Sequence, residues 1–106
     1  MKQQTVAQLL KYDFSKDSLF LYDSNGKEIY YEHSDGYWIK RDYDSNGNQI
    51  YYERSNDYWF KSDYDSNGNK IYTEFSDGTW YKHDYDSNGN EIYYEDSKGE
   101  QIHYIR

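Results

Sequence analysis

Short runs of aromatic and β-branched residues recur along the chain, each bounded by a cluster of turn-forming residues. Residues 50–53 and 58–61 are two such runs, and their composition is typical of β-strands, in which side chains alternate between two faces. Between the runs lie clusters such as residues 44–47, where glycine adopts a positive φ at no steric cost and Asp or Asn side chains bond the nearby backbone. The pattern predicts an antiparallel β-meander of about eight strands.

The runs and turns are organised by a tandem repeat. The sequence Tyr-Asp-Ser-Asn-Gly begins at Tyr22, Tyr43, Tyr64 and Tyr85, so that each step is 21 residues. Four repeats follow, at residues 22–42, 43–63, 64–84 and 85–106. A second turn cluster recurs as Ser-Asp-Gly or Ser-Lys-Gly, but repeat two has Ser-Asn-Asp ending at Asp57 and lacks the glycine.

Equivalent residues of stacked repeats form columns two strands apart, roughly 9.5 Å. Ile29 and Tyr31 share one face of their strand, while Tyr30 and Glu32 share the other. Both faces therefore mix aromatic with charged side chains, which favours a twisted, single-layer sheet over a two-layer sandwich. The columns are Ile29, Ile50, Ile71, Ile92; Trp38, Trp59, Trp80; Lys40, Lys61, Lys82; and Glu32, Glu53, Glu74, Glu95.

Residues 1–21 lack the repeat and are expected to form an N-terminal cap. Thr5 is a suitable N-cap for a short amphipathic helix carrying Val6, Leu9 and Leu10, which would cover an edge or face of the sheet. Residues 18–21 then predict an opening strand. At the other end the change of pattern at residues 102–105 is typical of a terminal repeat.

Composition narrows the class of protein. The chain has 106 residues, enough for one domain, with a mean hydropathy of -1.37 and only 35% apolar residues. Its 22% aromatic content nevertheless favours a folded chain with a thin core over disorder. A net charge of -8 disfavours direct binding to nucleic acid, so any charged partner is expected to be basic.

Location and redox context follow from what the sequence lacks. It contains no cysteine, which excludes disulfides and thiolate zinc sites. No segment has the length and apolarity of a membrane span, and the first ten residues lack the apolar region of a secretory signal. We therefore expect a cytoplasmic protein.

No pattern of catalytic or metal-binding residues emerges. His33, His83 and His103 occupy non-equivalent positions of their repeats, so they form no recurrent ligand set. The spacing Asp44-x-Asn46-x-Asn48 imitates the start of a calcium loop, but the glycine and the bidentate glutamate that such a loop requires are absent. The sequence predicts a protein that is not an enzyme and has no cofactor or metal.

The motif itself resembles a known family. Tyr-Asp-x-x-Gly, a second glycine ten positions later and the 21-residue return to Tyr-Asp are similar to YD (RHS-type) repeats, over residues 22–106. That resemblance implies β-sheet repeats, although four units are too few for the closed shells that the family builds. The short form with an N-terminal helix is also similar to small bacteriophage proteins, and Trp80 with its neighbours resembles choline- and cell-wall-binding repeats.

The aromatic and acidic columns suggest protein binding. Exposed aromatic residues are favoured interface anchors, and regular carboxylates imitate a phosphate backbone. Our leading hypothesis is a phage-type inhibitor of a basic host nucleic-acid-binding or defence protein. Carbohydrate binding and self-assembly through strand edges are the alternatives. The predicted anchors are Trp38, Trp59, Trp80, Tyr31 and Tyr52, and the predicted steering residues are Glu32, Glu53, Glu74, Glu95, Asp44, Asp65 and Asp86.

Overall fold

A computed structural model describes residues 4–15 and 17–105 of the chain. The described residues form one short helix and a single open sheet of nine antiparallel strands, each paired with the next strand along the chain. This confirms the predicted all-β, single-layer meander with an N-terminal helix. The elements are α1 (Val6–Leu10), β1 (Leu19–Tyr22), β2 (Glu28–Glu32), β3 (Trp38–Tyr43), β4 (Gln49–Arg54), β5 (Trp59–Tyr64), β6 (Lys70–Phe75), β7 (Trp80–Tyr85), β8 (Glu91–Asp96) and β9 (Gln101–His103).

The hairpin turns at the two ends of the strands have the same construction. Gly47 donates its N–H to the carbonyl of Asp44, and Asp44 donates its own N–H to the carbonyl of Asn48. At the opposite ends of the strands, Gly36 donates its N–H to the carbonyl of His33 in the same way. Each glycine has a positive φ, 86° at Gly47 and 94° at Gly36, as three-residue hairpin loops require. The hairpins therefore reuse one turn chemistry, with glycine at the positive-φ position of every turn except the one that has Asp57 there.

A β-bulge explains why the repeat has 21 residues. Asp42 pairs with Tyr51 and Tyr43 pairs with Gln49, so that Ile50 is left without a partner on β3. The register shifts in the same way between β1 and β2, β5 and β6, and β7 and β8. One extra residue in every second hairpin makes the repeat odd in length. The isoleucine column is the column of bulged residues.

The sheet is elongated and has little core. Its extents are 58 × 31 × 20 Å and its radius of gyration is 18.0 Å, whereas a compact domain of this length has a radius of about 13 Å. Among the described residues no large side chain is completely shielded from solvent. The small buried cluster of Ala7, Leu19 and Tyr30 lies where α1 meets the first strands.

Helix α1 docks through its first turn. Thr5 caps it as predicted, in a reciprocal capping box with Gln8. Ala7 is buried at 3% exposure, but Leu9 and Leu10 are 65% and 59% exposed. The helix has only five residues and Ala7 is the one that is buried, so the predicted helix is present but its two leucines stay largely exposed. No helix in the described part of the chain is long and apolar enough to span a membrane.

The turn that lacks glycine predicts a stabilising substitution. Asp57 has a φ of 73° at the position that glycine occupies in the equivalent turns. Replacing Asp57 with Gly should raise the free energy of unfolding by about 1 kcal/mol by removing the left-handed strain, and should raise Tm by about 4–8 °C. Thermal and urea denaturation measure both. Gly36→Asp is the matched control and should destabilise; a Tm for Asp57→Gly at or below that of the parent would contradict this account.

Candidate functional site: an aromatic and charged ladder

Four side chains from each pair of strands meet on one face of the sheet. Tyr51 lies opposite Lys61, and Glu53 lies opposite Trp59, in the pairing of β4 with β5. Since residues two apart share a face, these four side chains form one square. We call each square a ladder unit and this side of the sheet the ladder face. The units are Tyr30–Glu32–Trp38–Lys40 (unit one), Tyr51–Glu53–Trp59–Lys61 (unit two) and Tyr72–Glu74–Trp80–Lys82 (unit three).

Unit two shows how a ladder unit is held together. The hydroxyl of Tyr51 donates to Oε1 of Glu53 at 3.1 Å. The rings of Tyr51 and Trp59 stack with centroids 6.4 Å apart and planes at 22°. Nζ of Lys61 lies 6.0 Å from the Trp59 ring centroid, within range of a cation–π interaction. Each side chain therefore has a partner within the unit.

The other units repeat this geometry. The tyrosine and tryptophan centroids are again 6.4 Å apart in units one and three. Tyr30 donates to Glu32 at 2.7 Å and Tyr72 donates to Glu74 at 2.9 Å. After unit three the pattern weakens, because Gln101 and His103 stand where tryptophan and lysine would be. Tyr93 still donates to Glu95 and packs against His103.

Unit one differs because α1 covers it. The backbone N–H of Ala7 donates to Oε1 of Glu32 at 3.0 Å, and Glu32 is only 2% exposed. Its neighbours on β1 are Leu19 and Leu21, where units two and three have a lysine and an aspartate from the preceding strand. Leu19 and Leu21 thus give the helix an apolar surface to pack against beside unit one, and Glu32 faces the helix rather than solvent.

Units two and three are open, and each carries one glutamate and one lysine. Lys61 and Lys82 are exposed at their outer edges, with Nζ of Lys61 3.8 Å from Oε1 of Glu74. A further column of exposed carboxylates extends the same face from the strands β3, β5 and β7. Its members are Asp42, Asp63 and Asp84.

The opposite face carries a second line of aromatic rings. Tyr52 stacks on Phe60 with centroids 5.1 Å apart, and Phe60 contacts Phe75 at 6.0 Å. Nε of Arg54 donates to the Tyr52 hydroxyl at 2.7 Å, and Tyr31 packs against the first strand of the sheet. Tyr31 and Tyr52 are therefore separated by the sheet from the three tryptophans with which the sequence grouped them.

The aspartates of the Tyr-Asp motif belong to the turns. Oδ1 of Asp44 accepts from the backbone N–H groups of Asn46 and Asn48, and Oδ2 accepts from Nδ2 of Asn48. These hydrogen bonds, that from Asn48 foremost, lower the pKa of Asp44. Asp65 is bonded in the same way and Asp86 accepts from the two equivalent backbone groups. Turn formation therefore accounts for the regular spacing of Asp44, Asp65 and Asp86.

The sequence thus identified part of the ladder face. It found the Trp, Lys and Glu columns but did not single out the stacking tyrosines or the exposed column that begins at Asp42. The i, i+2 spacing marks residues on one face of a strand; Tyr-x-Glu is visible in all four repeats and Trp-x-Lys-x-Asp in the first three. The tyrosines that the sequence did not predict as anchors are Tyr30, Tyr51, Tyr72 and Tyr93.

The histidines are dispersed. His33 lies beside Asp35 in a turn, His83 contacts Glu91 on the face opposite the ladder, and His103 packs on Tyr93 at the end of the ladder. Within residues 4–15 and 17–105 no three His, Cys, Asp or Glu side chains are grouped so that they could hold a metal ion.

Comparison with known proteins adds no relative. No protein-family model matches the chain, and no curated protein matches it. The resemblance to YD repeats therefore stays a prediction, and the functional argument depends on the geometry of the ladder face.

The tyrosines of the ladder predict an alkaline limit to stability. Burial, and then the hydrogen bond to glutamate, raises the pKa of Tyr51 and Tyr72 above the ordinary value of 10.0. Their contribution to stability is complete below pH 10.0 and is lost as the pH rises above it, because the unfolded chain releases phenolic protons that the folded chain retains. Urea denaturation on both sides of that pH should show the free energy of unfolding falling. In Tyr51→Phe/Tyr72→Phe the decline should be shallower, and an equal decline would refute the assignment.

Proposed function

We propose that the protein is a non-enzymatic binding module whose ladder face engages a basic cytoplasmic protein. The observation that carries the proposal is that one strip of the sheet repeats a square of tyrosine, tryptophan, glutamate and lysine in a fixed geometry. Aromatic rings with polar edges are the most effective interface anchors, and rigid ones lose little conformational entropy on binding.

The charge of the ladder face favours a basic partner. Each open unit presents a glutamate, while Asp42, Asp63 and Asp84 add exposed carboxylates along the same strip. In a chain of net charge -8 this arrangement would accelerate encounter with a cationic surface. A basic groove that normally holds nucleic acid is such a surface, and for that reason we propose inhibition of a host nucleic-acid-binding or defence protein, as in a phage-type inhibitor.

Carbohydrate binding is less well supported by the ladder. Sugar rings stack on open aromatic faces, but a lysine ammonium lies over each tryptophan and a tyrosine packs beside it. A sugar would have to displace the lysine. Protein binding instead uses the exposed ring edges and the charges together, and it therefore ranks first.

The proposal predicts salt-sensitive capture that depends on Trp59. The immobilised chain should retain a basic protein from a bacterial lysate at low salt and release it at high salt, since salt screens exposed charges. Trp59→Ala should weaken the binding of that purified partner by about 30-fold, the effect of removing a central aromatic anchor. Titration calorimetry with the partner identified by mass spectrometry measures the change.

Phe60→Ala is the matched control, because Phe60 follows Trp59 in the same strand but lies on the opposite face. It removes a ring of similar size and should leave affinity unchanged, with Tm recorded for both variants. If Phe60→Ala abolished binding and Trp59→Ala did not, the binding surface would be the face that carries Tyr31 and Tyr52. If the same amount of protein were retained at low and at high salt, the result would count against a basic partner.

A further inference from the structure

The covered unit of the ladder shows what kind of element this surface accepts. In unit one the first turn of α1 lies over the Tyr30–Glu32 pair, and Ala7 donates its free backbone N–H to Oε1 of Glu32 at 3.0 Å. Val6 packs against the buried cluster of Ala7, Leu19 and Tyr30. Glu32 therefore satisfies an N–H group that has no partner inside the helix.

The same acceptors are preformed in the open units. Oε1 of Glu53 and Oε1 of Glu74 are held by the hydroxyls of Tyr51 and Tyr72 at 3.1 and 2.9 Å. Both glutamates are partly exposed, whereas Glu32 under the helix is buried. A negative charge at the start of a helix is also favoured by the helix dipole. The open units thus continue an interface that the chain already forms with its own helix.

The open units differ from unit one at two neighbouring positions, because Lys40 and Lys61 replace Leu19, and Asp42 and Asp63 replace Leu21. The second difference sets the specificity. Val6 and Leu21 both pack against the buried cluster in unit one, whereas Asp42 and Asp63 are exposed. An aliphatic side chain would there meet a carboxylate, whereas a lysine or arginine would form an ion pair. The open units therefore select a cationic residue at the position of Val6.

We propose that units two and three each receive the first turn of a helix from the basic partner, with a small residue over the Tyr–Glu pair and a Lys or Arg facing Asp42 or Asp63. This inference rests on the proposed function and specifies the element that the partner contributes. Its distinguishing feature is a backbone N–H donated to Glu53 or Glu74.

A synthetic peptide tests the proposal directly. The probe is residues 4–15 with Val6→Lys, stabilised as a helix by a side-chain lactam beyond its first turn, and titrated into the full chain by calorimetry. A matched peptide carries an N-methyl group on Ala7, which removes the donor. The unsubstituted peptide, with Val6 retained, tests the role of the cation. Glu53→Gln/Glu74→Gln in the full chain removes the charge of both acceptors.

We expect the Val6→Lys peptide to bind and N-methylation to weaken it at least about tenfold, as does loss of a hydrogen bond to a charged group. The affinity of the Val6→Lys peptide for the Gln double variant should be reduced to a similar extent, and so should the affinity of the Val6 peptide for the parent chain. The inference is overturned if N-methylation has no effect, or if no binding is seen up to about 1 mM peptide. If the chain captures a basic protein in a salt-sensitive way but either of these peptide results is obtained, this inference alone is overturned. If the peptide binds but no basic protein is captured, the proposed function is overturned instead.

Discussion

The constraint on which this structure depends is that a single-layer sheet has no second layer to bury its side chains. A nine-stranded sheet with two solvent-facing sides must satisfy each residue within its own face. The chain does so with cross-strand squares in which Tyr51 stacks on Trp59, bonds Glu53 and lies opposite Lys61. Such aromatic pairs contribute about 0.5–1.5 kcal/mol each beyond the area they bury. Repetition along the sheet then replaces the core that most domains of this size possess.

The same interactions generate the surface from which we infer function. Because each ring and carboxylate is held by a neighbour in its own unit, the ladder face is ordered before any partner arrives, and ordering costs on binding are small. Where the chain covers this surface itself, Leu19 and Leu21 lie beside the unit in place of a lysine and an aspartate. Where Lys40 and Asp42 occupy the corresponding positions, the face stays open. Stability and recognition are therefore properties of one set of side chains.

The sequence was sufficient for the antiparallel strands and the cap at Thr5, because turn chemistry and side-chain alternation are local. It was insufficient wherever strand register or docking decides the outcome. The alternation alone did not place Tyr52 across the sheet from Trp59, which the pairing of β4 with β5 determines. Nor did it show that Asp44 is used by its own turn or that Ile50 is a bulge. The exposure of Leu9 arises because Ala7, not the leucines, meets the sheet.

We infer that the ladder, and not the small cluster beneath α1, holds the sheet together. Residue-resolved amide hydrogen exchange measures stability along the strands and distinguishes the two. We expect the amides of β4 to β7 to exchange as slowly as those of β2 and β3, and Trp59→Phe to accelerate exchange in β4 and β5 first. If protection were confined to the strands under α1 while β4 to β7 exchanged freely, the helix-covered cluster would be the true core and the ladder a passive surface.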